Sequence, residues 1–344
     1  MRALEIKGVA TTALTLVFAF AARAETADDF YRAHPKIAIG VPAGAGGTYD
    51  LYTRLLARHL PKYLPGAPAV IVQNVPAAGG IVLTNQLYGS APKDGTFLAM
   101  VRGSTIQEAV NGNPAAMFDG RKLAWLGNMN SEYEACVVLR DAPIQKISDL
   151  RDHEIIVGAT GPGAQSYSFP LVYNAVLGMK FKVISGYLTS PDRLLAQERG
   201  ELTGNCGYDT STVLATLYEP YKSGKIRLLF QAAKKKDPRF PDVPNIRDEA
   251  KTPAALAALD YMFATLELGR PFAAPPETPP DRVALLRAAF ERVVADPALI
   301  DEAKRLQLDL NTMTGAESAA SVDGLYATPR AVVERVRAAV GGNP

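Results

Sequence analysis

The loop Val41-Pro42-Ala43-Gly44-Ala45-Gly46-Gly47-Thr48-Tyr49-Asp50 carries the residue types best placed for chemistry, and that chemistry is anion binding. Its glycines free backbone N–H groups to point outward. On one side the β-branched residues Ile37, Ile39 and Val41 predict a strand; on the other, Leu51, Leu55 and Leu56 recur at helical spacing. The loop therefore ends at a helix N-terminus, where unpaired donors and a partial positive charge favour a carboxylate or phosphate. Ala45, Gly46, Gly47, Thr48, Tyr49 and Asp50 are the first candidate contacts. Asp50 has two readings of equal weight: a carboxylate that caps the helix start, or a ligand contact suited to an ammonium or hydroxyl group. Tyr49 can stack on a ligand or pack into the core.

The same device recurs. The strand Ala69 to Gln73 leads into Ala78-Gly79-Gly80 and a helical run, and the strand Thr96 to Val101 leads into Arg102-Gly103-Ser104-Thr105 and another. Arg102 can clamp a carboxylate bidentately or serve as a surface residue, solvated or paired with Glu108. A helix dipole contributes about 0.3–1 kcal/mol per favourable contact and up to ~2 when partly buried. Several helix ends plus direct hydrogen bonds reach the roughly 8 kcal/mol of micromolar affinity.

These loops need two medium domains or one large one, and 344 residues at 48% hydrophobic composition supply the cores. Residues 1–24 read as a cleavable secretory signal: Arg2 and Lys7, an apolar run from Gly8 to Phe20, then Ala22-Arg23-Ala24. Its loss leaves basic and acidic residues balanced. Such a chain lacks the electrostatic footprint of a nucleic-acid binder. No second apolar run reaches membrane-spanning length. Cys136 and Cys206 lie in strand-like stretches and, in an oxidising compartment, read either as a disulfide or as two buried thiols. His34, His59 and His153 share no metal-ligand spacing, so neither a metal nor a cofactor is expected.

The run Glu132 to Arg140 reads as a crossing into a second domain, where the strand–loop–helix pattern restarts. Glu154 to Gly158 precedes a second Gly-rich loop, Thr160 to Ser166, and a helix from Tyr167 to Leu177 interrupted early by Pro170. Further strands, Phe181 to Ser185 and Glu201 to Cys206, lead to Tyr187 and Asp209. Ile226 to Ala233 returns the chain, an amphipathic helix spans Arg282 to Ala295, and two further helices close it. The expected divisions are 25–135 for the first part of domain one, 136–232 for domain two, and 233–344 for the return with its C-terminal helices. Two α/β domains joined this way place a cleft outside the carboxyl ends of their strands.

Val41 to Asp50 resembles the P-x-x-x-G-G-x-x-D loop of the extracytoplasmic solute receptors of tripartite tricarboxylate transporters, the Bug receptors. Gln73 to Gly80 is similar to their N-x-P-G-A-G-G loop, and Ala91-Pro92-Lys93-Asp94-Gly95-Thr96 to their A-P-x-D-G-Y/T turn. Pro241-Asp242-Val243-Pro244 with Glu249, and Ala274-Pro275-Pro276-Glu277-Thr278-Pro279, resemble two further family segments. The resemblance implies a type II periplasmic-binding-protein fold, α/β with mixed sheets flanked by helices, that closes on a small carboxylated solute. It implies contacts from Ala45 to Asp50, Ala78 to Gly80 and Gly103 to Thr105. Thr160, Gly161, Gly163, Ala164, Gln165, Ser166, Tyr187 and Asp209 would supply the other wall. It further implies a periplasmic monomer with membrane permease subunits as partners. The competing readings are an exported α/β enzyme acting on a small anion, for which no nucleophile or base motif stands out, and the receptor of an ATP-driven importer.

Overall fold

The computed structural model describes residues 25–159, 161, 164–187, 190–210, 213–214 and 217–341. After a short helix α1 (Ala27–Ala33), the strands β1 (Lys36–Val41), β2 (Ala69–Asn74), β3 (Phe97–Met100) and β4 (Ala124–Asn128) belong to one sheet. The strands β5 (Glu134–Leu139), β6 (Ile155–Ala159), β7 (Phe181–Ser185), β8 (Gly204–Asp209) and β9 (Ile226–Ala232) form another. The chain then returns, adding β10 (Pro271–Ala274) and β11 (Met313–Thr314) to the first sheet.

Both sheets are mixed. In the first, ordered β11-β4-β10-β3-β1-β2, β1 runs parallel to β2 and β3 while β10 lies antiparallel to β3 and β4. In the second, ordered β7-β6-β8-β5-β9, β6 is parallel to β7 and β8, and β5 is antiparallel to β8 and β9. Central β3 is buried along its whole length, whereas edge strand β2 alternates and leaves Ile71 exposed. Cys136 on β5 and Cys206 on β8 are joined by a disulfide across neighbouring strands.

Helices follow the strands that deliver the glycine loops. They are α2 (Thr48–His59), α3 (Ile81–Gly89), α4 (Gly103–Val110), α5 (Gln165–Leu177), α6 (Ser190–Glu198) and α7 (Tyr218–Lys222). α2 turns into a tighter 3-10 segment at Leu60 because Pro61 cannot continue its hydrogen-bond ladder. α5 runs through Pro170 without a break, contrary to the interruption expected there. Pro170 lies in the second turn, so the one ladder bond it cannot donate falls at the helix start, where the ladder is least constrained. After α8 (Pro253–Glu267) and α9 (Pro280–Val294), three helices close the chain rather than two: α10 (Pro297–Arg305), α11 (Gly315–Tyr326) and α12 (Arg330–Ala339). Asp296 caps α10 through the Ala298 amide with Pro297 in its first turn, which makes that segment an element of its own.

α8 is buried nearly all round, through Ala258, Leu259, Met262, Phe263 and Leu266 among others. Its Phe263 ring lies 5.8 Å from that of Phe169 on α5, so residues from the two sheets share one apolar cluster. The helix thereby positions two segments at once. Its C-terminal end delivers the chain to Arg270 and β10, and its Thr265 carbonyl lies against Gly103, the first residue of α4. A Cβ on Gly103 would fall 2.5 Å from that carbonyl. We predict that Gly103→Val lowers stability by about 1–3 kcal/mol through this clash, measured as a drop in the urea midpoint; an unchanged midpoint would show that the contact between α4 and α8 yields freely.

Candidate functional site

The three loops of the first sheet pack on one another. Asp50, buried at the start of α2, accepts from the Gly46 amide at 2.8 Å, from Arg54 Nε at 2.9 Å and from Asn74 Nδ2 at 2.9 Å. Asn74 also donates to the Ala43 carbonyl, so the last residue of β2 ties the first loop to the second. Burial opposes the Asp50 charge, but these hydrogen bonds together outweigh it and hold the carboxyl below its ordinary range. Both Asp50 oxygens are thus engaged in bracing the loop. Ala45, Gly46, Gly47 and Thr48 remain exposed on its outer side.

Gly79 and Gly80 adopt left-handed φ values of 62° and 102°, which places the second loop against the other two. A Cβ on Gly80 would come within 2.9 Å of Thr105 Oγ1 and 3.1 Å of Pro42 Cβ. Thr105 in turn donates to the Gly79 carbonyl at 3.0 Å. Arg102, the N-cap of α4, does not reach Glu108, which takes Asn113 instead. It donates to the Pro42 carbonyl at 3.1 Å and lies over the Tyr49 ring at 4.2 Å, while its buried Nε meets no acceptor among the described residues.

The residue that assembles the rest is Arg270, 3% exposed between α8 and β10. Its backbone amide donates to Asn128 Oδ1 at 2.8 Å and to the Asn130 carbonyl at 3.1 Å, beside the point where the chain leaves the first sheet. Its guanidinium donates to the Gly269 carbonyl, pairs with Glu132, reaches Thr48 Oγ1 at 3.2 Å and lies 3.8 Å from Asp209 Oδ2. Its guanidinium carbon also lies 4.2 Å from the Tyr49 centroid, the same distance as that of Arg102. Two cations therefore stack on one phenol, which burial keeps neutral despite both of them. The Arg270 Nε, like that of Arg102, is buried without an acceptor among the described residues. Gly269 makes the approach possible, since a Cβ there would sit 2.7 Å from Glu132 Cγ.

The second sheet contributes carboxyl groups. Glu134 and Asp209 are register partners across β5 and β8, and Glu132 precedes them at the crossing. Burial pushes Glu132 up to about 8 against the pull of Arg270, and the same cause raises Asp209. A hydrogen bond between these two acids requires a proton on one of them. Burial also raises Glu134 well above its ordinary value, reinforced by the fields of Asp209 and Glu132. Gly207 lets the end of β8 close on the first turn of α5, with Ser166 Cα 2.8 Å from a Cβ built there. Ala164, Gln165 and Ser166 form that helix start, with Gly161 just before it; Thr160 and Gly163 lie outside the described residues. Tyr187 and Arg193 pack together over Gly158, and Arg193 donates to the Cys206 carbonyl at 2.9 Å.

Thr48, Tyr49, Arg102 and Asp209, all singled out from sequence, thus meet around a residue that was not. Arg270, Glu132, Glu134, Asn74 and Arg193 escaped that reading. A signal existed for three of them. Arg270 is a lone charge in the apolar run from Tyr261 to Ala274 apart from Glu267, and Glu132 and Glu134 alternate directly before an apolar strand. Among the described residues no cluster of ligating side chains is arranged to hold a metal ion, and no helix is long and apolar enough to cross a membrane.

Two mixed sheets flanked by helices, with helix N-termini gathered beside the crossing, define a two-domain α/β protein of the periplasmic-binding-protein class. The chain belongs to the tripartite tricarboxylate transporter family of receptors, whose model matches residues 53–334. A Cupriavidus necator protein described as "UPF0065 protein in gbd 5'region" is 30% identical over 250 residues, 70% of each chain. A TctC solute binding protein from Polaromonas superposes with a TM-score of 0.69 at 21% identity, over 87% of this chain and 98% of that one. MatC from Rhodopseudomonas palustris, solved with bound malate, gives 0.62 at 22% identity over 88% and 98%. The family and the fold are those of solute-binding receptors.

Two outcomes follow from the charge arrangement. Arg270→Met leaves Glu132 and Asp209 without this cation and should cost about 3–5 kcal/mol, more at pH 9, where Glu132 ionises in the native chain, than at pH 6, where it holds its proton in both; equal losses at both pH values in urea melts would contradict the ion set. For Glu134 the folded chain holds its proton more tightly than the unfolded chain, so its contribution is complete below about pH 4.5 and is lost as pH rises toward the folded value. Glu134→Gln should therefore gain stability over the native chain between pH 5 and 8, by at most about 1.4 kcal/mol per pH unit; a pH-independent difference would show that Glu134 titrates normally.

Proposed function

We propose that this protein is an extracytoplasmic receptor that closes on a small carboxylate solute and presents it to the membrane permease of a tripartite transporter. In this reading residues 1–24 are a signal removed on export to the periplasm. The two lobes are 25–135 with 233–344, and 136–232, with the solute seated where the three glycine loops of the first lobe meet the α5 start, Tyr187 and Asp209 of the second. The observation that carries it is the pair of guanidiniums stacked on Tyr49, at the N-terminus of α2, each with a buried Nε–H for which the described residues supply no acceptor. A buried donor without an acceptor costs about 1–3 kcal/mol, more when charged, and a carboxylate removes that cost. The exposed loop amides and the α2 dipole add to the same field. Family membership and the malate held by one structural neighbour agree with a carboxylate solute.

Function then consists of a population shift. A solute that contacts both lobes has differential affinity for the closed form and needs no bond-making step. The test is a thermal-shift screen of the chain from Glu25 onward against mono-, di- and tricarboxylates, aromatic acids and amino acids. One carboxylate class should raise the midpoint, and Arg102→Gln should weaken that ligand by about tenfold or more in calorimetry. No shift with any carboxylate would overturn the reading.

A further inference from the structure

The second sheet breaks step at the level of its disulfide. Between the register pairs Ala135–Tyr208 and Val137–Asn205, β5 has Cys136 alone, whereas β8 has both Cys206 and Gly207. β9 does the same on the other side, with Leu229 inserted between the partners of Cys136 and Val137. The extra residue on β8 takes a left-handed φ of 78° at Gly207, the form of a glycine bulge. Residues beyond such a bulge point to the face opposite the one a regular ladder would give them. Cys136, Cys206 and Phe230 belong to one apolar cluster, and Ala135, Val137 and Tyr208 to another on the other face. Strict alternation from Cys206 would therefore turn Asp209 to the Ala135 face. The bulge instead makes Asp209 the partner of Glu134, on the Cys136 face, 3.8 Å from Arg270.

The contacts around the bulge hold it in place. The buried Cys136–Cys206 bond prevents β8 from sliding along β5 and so confines the extra residue to Gly207. Arg193 donates to the Cys206 carbonyl at 2.9 Å, lies 3.5 Å from that of Gly207 and stacks at 4.6 Å on Tyr208. Gly207 itself closes on Ser166 in the first turn of α5, where a Cβ would not fit. We propose that the Cys136–Cys206 disulfide is a positioning element of the solute site, holding the bulge that aims Asp209 at Arg270 and seats the end of β8 on α5, so that solute affinity depends on the bond. The proposal rests on the carboxylate-receptor reading and goes beyond it in giving the two cysteines a part in binding. A disulfide that only stabilised the fold would act through the unfolded chain and leave the native site as it is.

The experiment is a double-mutant cycle read by calorimetry, well below the melting midpoint of every variant. The probe is whichever of L-malate, succinate, adipate, citrate, benzoate and L-glutamate binds the native chain most tightly. Cys136→Ala with Cys206→Ala should weaken it by about fivefold or more in the native background, and by less than about twofold in an Asp209→Asn background, which keeps Arg102 and Arg270 in place. Leu299→Ala, a buried truncation in α10, lowers the melting midpoint and should leave affinity unchanged. If the alanine pair does not fold, Cys136→Val with Cys206→Ala refills the space. Affinity that survives loss of the disulfide, or falls equally in both backgrounds, would overturn this inference and leave the carboxylate receptor standing. Absence of binding by all six to the native chain would overturn both.

Discussion

The arrangement depends on one buried cation. Arg270 sits where the chain first leaves the sheet containing β4, its backbone held by Asn128 and Asn130 and its guanidinium by Glu132, Thr48 and the ring of Tyr49. Burying a guanidinium costs several kcal/mol unless its partners are well placed. Here they come from the α2 start, the crossing segment and the end of β8. Any movement of the second sheet relative to the first must alter the 3.8 Å approach of Asp209 to this cation. The contacts of Arg239, which joins Asp237 and Thr210 to Asp309, form a second tie between the same parts of the chain. Any relative movement of the two sheets and the charge at Arg270 are therefore linked through a few side chains.

Around that cation the glycine loops act as shaped backbone. Positive φ at Gly79 and Gly80 and the contact of Gly80 with Pro42 and Thr105 bring three helix starts together. Asp50 and Asn74 fix the first loop from behind, which leaves its outer amides available to a solute. A backbone arrangement of this kind suits a carboxylate by geometry and field.

Much of the fold was legible in the chain. Strand, glycine loop and helix recur with clear punctuation, so β1 to β3 and their helices could be read from Ile37, Pro61, Gly79 and Gly95 with small boundary shifts. Pro170 misled because a proline's effect depends on its distance from a helix start, which periodicity does not report, and the short helix opening at Pro297 was not counted among the closing ones. The candidate site was read from its backbone motif, and only in part. Thr48, Tyr49, Arg102 and Asp209 lie near turns and were visible as such. Arg270 lies 222 residues from the Thr48 hydroxyl it reaches, and its pairing with Glu132 arises only when β10 inserts between β3 and β4. Long-range placement of charge is a property of topology. Local spacing carries little of it beyond the oddity of an arginine in an apolar run.

The most direct measurement is a crystal structure of the protein with its tightest-binding carboxylate. The account predicts carboxylate oxygens within hydrogen-bonding distance of the first-turn amides of α2 and of Arg102 or Arg270, with both arginines still stacked on Tyr49. A solute lodged elsewhere, for instance in the groove between α8 and α11 lined by Ala257, Ala264, Ala320 and Gly324, with both guanidiniums untouched, would contradict it.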